Sequence, residues 1–221
     1  LLLALVVASV TFYSCKDYND LDLEEPSGDA NFSNVVAVGN SLTAGYQSDA
    51  LYRTAQRYSF PNLIAGQIET AQQFNQPLVS NPGISLGNGR LELDGSLSPT
   101  DPANIPAPTD DSPGTLIDQE TSTPYNNLGI PGALLADFTG QDLPGQPYSA
   151  RREANPFFDL VLGQTSTQAE QLASMNPSFV MFWLGNNEVL GYVTSGGNTP
   201  YVPASSFQQL YGASMQAVGQ T

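Results

Sequence analysis

The chain has 221 residues with a hydrophobic fraction of 40% and ten each of Tyr and Phe, enough for one α/β domain with a packed core or for two small ones. Twenty-one acidic residues against six basic ones give a formal charge of −15; a field of that sign repels phosphate backbones, and Arg53, Arg57, Arg90, Arg151 and Arg152 are dispersed or merely paired, so nucleic acid is not an expected partner. The chain contains no histidine, which removes the commonest general base and metal ligand, and no methionine opens it, as expected of a sequence that starts inside a longer reading frame.

Residues 1–10 read LLLALVVASV. A run of this length is too short to span a bilayer as a helix, which takes ~20 residues, but it suits the apolar core of a signal peptide whose charged leading part is missing. It ends at Phe12-Tyr13-Ser14-Cys15, and Cys15 is the only cysteine, so an internal disulfide is excluded. The segment up to residue 15 resembles a bacterial lipoprotein signal, in which a small residue, here Ser14, precedes the cysteine that becomes lipid-modified; Phe12 stands where such signals usually carry leucine. Residues 16–33 follow as an acidic tether between the anchor and a domain spanning 34–221. Its stretch KDYNDLDLEEPSGD has no hydrophobic period and contains Pro and Gly. The expected location is the bacterial cell envelope, with the protein exported and held at the outer membrane by its lipid anchor; the alternative is an ordinary secretory signal in which Cys15 is incidental.

Val35-Val36-Ala37-Val38, ending at Gly39, has the character of a buried parallel strand. Over residues 57–72 the apolar positions Phe60, Leu63, Ile64 and Ile68 fall at helical spacing, with Pro61 tolerable in the first turn only. Residues 76–89 read as loop or a short edge strand. Residues 93–124 are rich in Pro, Asp, Ser and Thr without a period, the mark of a long surface insertion. A calcium site built from Asp101, Asp110 and Asp111 lacks the ligand spacing of a calcium loop, so a solvated loop is the simpler expectation there. A strand is expected within 125–129, a helix over 133–138 and another over 165–175. Asn176-Pro177 then stops the chain before SFVMFWL at 178–184, which has the strongest buried-strand character of all. Residues 191–203 are expected to be loop, and 204–218 a helix carrying Phe207, Leu210, Tyr211, Met215 and Val218 on one face. Strands separated by helices imply a parallel sheet covered on both faces.

A short segment follows each of the three strands, at the strand ends where open α/β sheets bind ligands. The first, GNSLTAG, puts Ser41 in a turn flanked by glycines. A serine capping a helix would look the same, and the spacing is not the G-x-S-x-G of an α/β-hydrolase elbow. The second, NLGIPGA, contains Gly132, whose N–H, free of a Cβ, can come close to a substrate oxygen; an ordinary strand-to-helix turn is the alternative. The third, WLGNNEVL, places Asn186 and Asn187 after a buried strand, where an amide N–H can help stabilise an oxyanion or can simply cap the next helix.

In this order, GNSLTAG, NLGIPG and LGNNEVLG resemble the first three blocks of the SGNH (GDSL-like) hydrolases, over roughly residues 34–192. The resemblance implies a flavodoxin-like three-layer α/β/α domain with a parallel sheet. It also implies Ser41 as nucleophile, and an oxyanion hole formed by the N–H of Ser41, the N–H of Gly132 and the side-chain amide of Asn187, with no cofactor. Asn40 stands where the family usually has Asp, and Glu188 replaces the Asp that usually follows the third-block Asn. The family's last block, an Asp and a His two residues apart, has no counterpart, and three expected strands stand against about five in the family sheet. A domain incomplete at its C-terminus accounts for these gaps together, and such a piece, lacking the histidine, would be inactive by itself.

The expected activity is hydrolysis of a carboxylic ester through an acyl-serine, on an ester-containing small molecule, a lipid or an acylated glycan. The alternative is a non-catalytic surface lipoprotein of the same fold that binds glycans or lipids. A flavin or nucleotide binder is disfavoured, because no glycine-rich phosphate loop follows the first strand.

Overall fold

Strand β1, Val35–Gly39, is buried along its whole length and lies at the centre of a parallel sheet of order β2-β1-β3, where β2 is Asn127–Gly129 and β3 is Phe179–Trp183. The computed structural model describes residues 28–68, 74–87, 89–91, 113–117, 124–163 and 167–221. The signal-like run, Cys15, most of the acidic tether, and most of the 93–124 insertion with Asp101, Asp110 and Asp111 lie outside the described residues. The unit that carries the sheet is Asn31–Thr221.

In chain order the helices are α1 (Ser41–Ala44), α2 (Arg53–Gln56), α3 (Phe60–Ala65), α4 (Leu135–Phe138), α5 (Tyr148–Glu153), α6 (Phe157–Leu162), α7 (Gln168–Met175), α8 (Asn187–Thr194) and α9 (Ala204–Val218). The register pairs Val36 with Val180 and Val38 with both Leu128 and Phe182. Because side chains alternate along a strand, these residues share one face, which α4, α7 and α9 cover. Phe138 meets Phe182 edge-on at 5.3 Å between ring centroids. The opposite face carries Gly39 and Gly129 beneath α1, with α3 beside it.

The expected strands and the last helix form where the pattern placed them, with ends shifted by a residue or two. Four differences stand out. Strand β3 is half-buried rather than deeply buried, and Trp183 is exposed, whereas β2, the other edge strand, is buried along its length. The helix expected over 57–72 is the shorter α3, started by Pro61 in its first turn and followed by Gly66; Leu63 and Ile64 on it are exposed. Helix α8 runs to Thr194, into the stretch expected to be loop. Helix α6, which no pattern announced, contributes Phe157, Phe158, Val161 and Leu162 to the core; six residues is too short a run for a helical period to show.

Candidate active site

Ser41 is the first residue of α1 and is half-buried. Two glycines let this helix sit directly on the strand ends. A Cβ on Gly39 would lie 1.9 Å from Thr43 Oγ1, and one on Gly129 would lie 2.3 Å from the backbone nitrogen of Ala44. Asn40 starts the helix: its Oδ1 accepts from the N–H of Leu42 at 3.4 Å and its carbonyl from the N–H of Ala44 at 2.9 Å. Gly45 ends it with a left-handed backbone (φ 79°). There the N–H of Gly45 reaches the Leu42 carbonyl and the N–H of Tyr46 the Ser41 carbonyl, the paired bonds of a Schellman stop. Among the described residues nothing hydrogen-bonds the Ser41 hydroxyl.

The second segment leaves β2 with the N–H of Ile130 donating to the carbonyl of Gly39 at 3.0 Å. Gly132 is exposed and has φ 83°, a conformation that costs other residues about 1–2 kcal/mol. Asn155 Nδ2 donates to the Pro131 carbonyl at 2.7 Å and so steadies the turn from outside. Just beyond, Asp137 is buried on α4. Its Oδ2 accepts from the Leu134 N–H, and its Oδ1 pairs with Arg151, whose Nη2 is 2.6 Å away. Burial still pushes this carboxyl above its ordinary range, against the pull of that N–H and the arginine.

The third segment is bonded to the other two. Asn40 Nδ2 donates to Asn186 Oδ1 at 2.5 Å. Asn187, the first residue of α8, donates from Nδ2 to the Ala133 carbonyl at 2.8 Å. The N–H of Leu135 donates to Glu188 Oε1 at 2.5 Å. Neither asparagine side chain caps α8; both amides reach across to other segments instead. Glu188 is buried and its Oε2 has no partner; burial raises its pKa, partly offset by the backbone N–H groups of Leu135 and of Glu188 itself.

Ser41, Gly132 and Asn187 therefore sit on three adjoining strand-end segments held together by direct hydrogen bonds. No sequence motif marks Gln168 as part of the site, yet it is fully buried and donates from Nε2 to the carbonyls of Gly39 at 2.9 Å and Leu128 at 2.6 Å. It clamps the ends of β1 and β2 under the site. The signal for it was local: Thr167 and Glu170 form a capping box that starts α7, the S/T-x-x-E pattern of a helix beginning, which puts Gln168 in the first turn beside the sheet. Among the described residues there is no cluster of three or more metal-ligating side chains.

A family model described as GDSL-like lipase/acylhydrolase matches residues 35–217. The chain belongs to this family, and its class of activity is ester hydrolysis, typically of carboxylic esters. No curated protein and no solved structure gave a significant match.

Proposed function

We propose that the protein is an SGNH-type carboxylester hydrolase acting through an acyl-serine at Ser41. The Ser41 oxygen attacks the ester carbonyl carbon and its proton passes to a base. The oxygen that becomes negative is met by the N–H groups of Ser41 and Gly132 and by Asn187 Nδ2. The alkoxide leaves with the proton, and water then cleaves the acyl-serine by the same steps. With no histidine in these 221 residues, the base comes from an Asp/His block elsewhere in a longer protein, and the three strands are part of a larger flavodoxin-like sheet. The partial burial of β3 at the edge of the sheet supports that extension. Export, lipid modification of Cys15 and attachment to the outer membrane complete the reading, with lipids, acylated glycans or other esters as substrates.

The observation that carries the proposal is the pair of cross-bonds, Asn40 to Asn186 and Asn187 to Ala133, which draws the serine segment, the Gly132 turn and Asn187 into one place. The second reading, a non-catalytic glycan or lipid binder, draws on the absence of histidine. A fluorophosphonate probe on the full-length protein separates the two: it should label Ser41 and not the Ser41→Ala variant. Asn187→Ala should lower kcat by ~100-fold or more with KM little changed. Absence of labelling, or turnover per folded molecule that survives Asn187→Ala, would count against the assignment.

A further inference from the structure

The turn that carries Gly132 can present its N–H in either of two directions. The N–H of Ala133 donates to the Ile130 carbonyl at 3.0 Å and Gly132 has φ 83°, which makes residues 130–133 a type II turn with Pro131 and Gly132 in the middle. Proline suits the first middle position of a type I turn equally, and glycine, lacking a Cβ, accepts the second in either type. The two types differ by roughly half a rotation of the peptide unit between these residues. That unit is planar and trans, so its carbonyl and its N–H point opposite ways. Whatever holds the Pro131 carbonyl therefore also aims the Gly132 N–H.

Resting on the function proposed above, we propose that Asn155 is a positioning residue of the oxyanion hole: its amide holds the Pro131 carbonyl and so keeps the Gly132 N–H turned the other way, toward the oxygen that becomes negative. The bond from Asn155 Nδ2 to that carbonyl is 2.7 Å long. Among the described residues no acceptor meets the Gly132 N–H.

Asn155 is itself fixed on every side, as an aiming group has to be. It lies between α5 and α6, where its N–H donates to the Arg152 carbonyl at 3.1 Å and its carbonyl accepts from the Phe158 N–H at 3.2 Å. Its Oδ1 accepts from the Phe157 N–H at 3.1 Å, so the nitrogen of the amide is the end left for Pro131. Phe157 and Phe158 are both buried in the core. A Cβ on Gly132 would lie 3.2 Å from Asn155 Nδ2, which puts the amide alongside the turn. Beyond Gly132, Asn187 Nδ2 holds the Ala133 carbonyl at 2.8 Å. The carbonyls on either side of Gly132 are thus each held by an asparagine amide from a distant segment.

Two substitutions in the full-length protein separate aiming from mere support, because they should rank in opposite order by activity and by stability. Asn155→Asp keeps an acceptor for the Phe157 N–H, but its carboxylate has no proton for the Pro131 carbonyl and repels it. Asn155→Ala loses both bonds and repels nothing. Asn155→Asp should lower kcat by at least about tenfold, toward the ~100-fold that loss of one oxyanion donor costs, with KM little changed. Asn155→Ala should lose less kcat and more thermal stability. The nuclear Overhauser effect between the Pro131 α-proton and the Gly132 amide proton, strong in a type II turn and weak in type I, reads the peptide directly and should weaken in Asn155→Asp. A parental Overhauser effect in that variant, or activity that simply follows stability with Asn155→Ala the worse in both, would overturn the proposal. If the parent takes no fluorophosphonate at Ser41 while Asn155→Asp still turns the peptide, the acyl-serine reading fails and the pinned turn stands. If Ser41 is labelled and Asn155→Asp turns over at the parental rate, the role of Asn155 fails and the acyl-serine reading stands.

Discussion

Asn40 Nδ2 donates to Asn186 Oδ1 at 2.5 Å, joining the residue before Ser41 to the residue before Asn187 across the ends of β1 and β3. Asn40 is fully buried and serves as acceptor toward Leu42 and donor toward Asn186 at once. An aspartate at this position, the residue more usual in the family, would bring a charge into full burial, which is costly unless it is paired, and an ionised carboxylate has no proton to donate to Asn186 Oδ1. The neutral amide satisfies the site as it stands.

Removing that bond should be felt from both sides. Asn40→Ala is expected to destabilise the domain by about 1–3 kcal/mol, because it strands a partly buried acceptor and removes a helix cap. In a double-mutant cycle with Asn186→Ala, urea unfolding should show a coupling of about 1 kcal/mol. Strict additivity of the two single changes would mean that the pair does not hold the segments together.

The glycines of the strand ends differ in what they tolerate, and alanine substitution should reveal it. Gly129→Ala forces a Cβ to 2.3 Å from the Ala44 backbone nitrogen, an overlap that only moving α1 can relieve, so a loss of about 3 kcal/mol or more is expected. Gly132→Ala meets Asn155 Nδ2 at 3.2 Å, the movable end of a side chain. Its cost is mainly the left-handed backbone, about 1–2 kcal/mol. Thermal unfolding should therefore show a small decrease in Tm for Gly132→Ala and a large one, or no soluble protein, for Gly129→Ala. Equal effects would mean that the close packing of α1 on β2 is wrong.

Glu188 makes stability depend on pH in a definite direction. Burial raises its folded-state pKa above the ordinary value of 4.5, so the folded chain holds this proton more tightly than the unfolded one. The corresponding stability is fully present below about pH 4.5 and is lost as pH rises through the folded-state pKa. Asp137 is shifted in the same direction by the same cause. Glu188→Gln keeps an oxygen for the Leu135 N–H and abolishes the titration. Urea unfolding of this variant at pH 5 and pH 8 should show a smaller fall in stability than the parent. Parallel behaviour of the two proteins would show that Glu188 ionises in the fold at no cost.

How far the sequence reaches is clearest at Ser41, Gly132 and Asn187. That each follows a strand is readable, because short apolar stretches end at Gly39, Gly129 and Gly185 and these residues come two or three positions later. The parallel sheet was readable too, since helical spacing separates the strands in chain order. Which strands are neighbours was not, because pairing depends on backbone hydrogen bonds that no local pattern encodes. It took the order β2-β1-β3 to set Asn40 against Asn186 and Asn187 against the Ala133 carbonyl.

The two asparagines mark the boundary most sharply. By sequence, Asn186 and Asn187 serve equally well as caps of the following helix, since either side chain can bond to its own backbone. In the fold their amides go to Asn40 and Ala133 instead. That choice depends on groups 146 and 54 residues away. The same holds for Trp183 and Glu188. An apolar run predicts burial for the first and a charge predicts exposure for the second, yet Trp183 is exposed and Glu188 buried. Composition and periodicity determined the elements and the kind of residue at each strand end, because those follow from local backbone and side-chain preferences. Only the tertiary structure decided which side chains meet and which face water, because burial is set by neighbours distant in the chain.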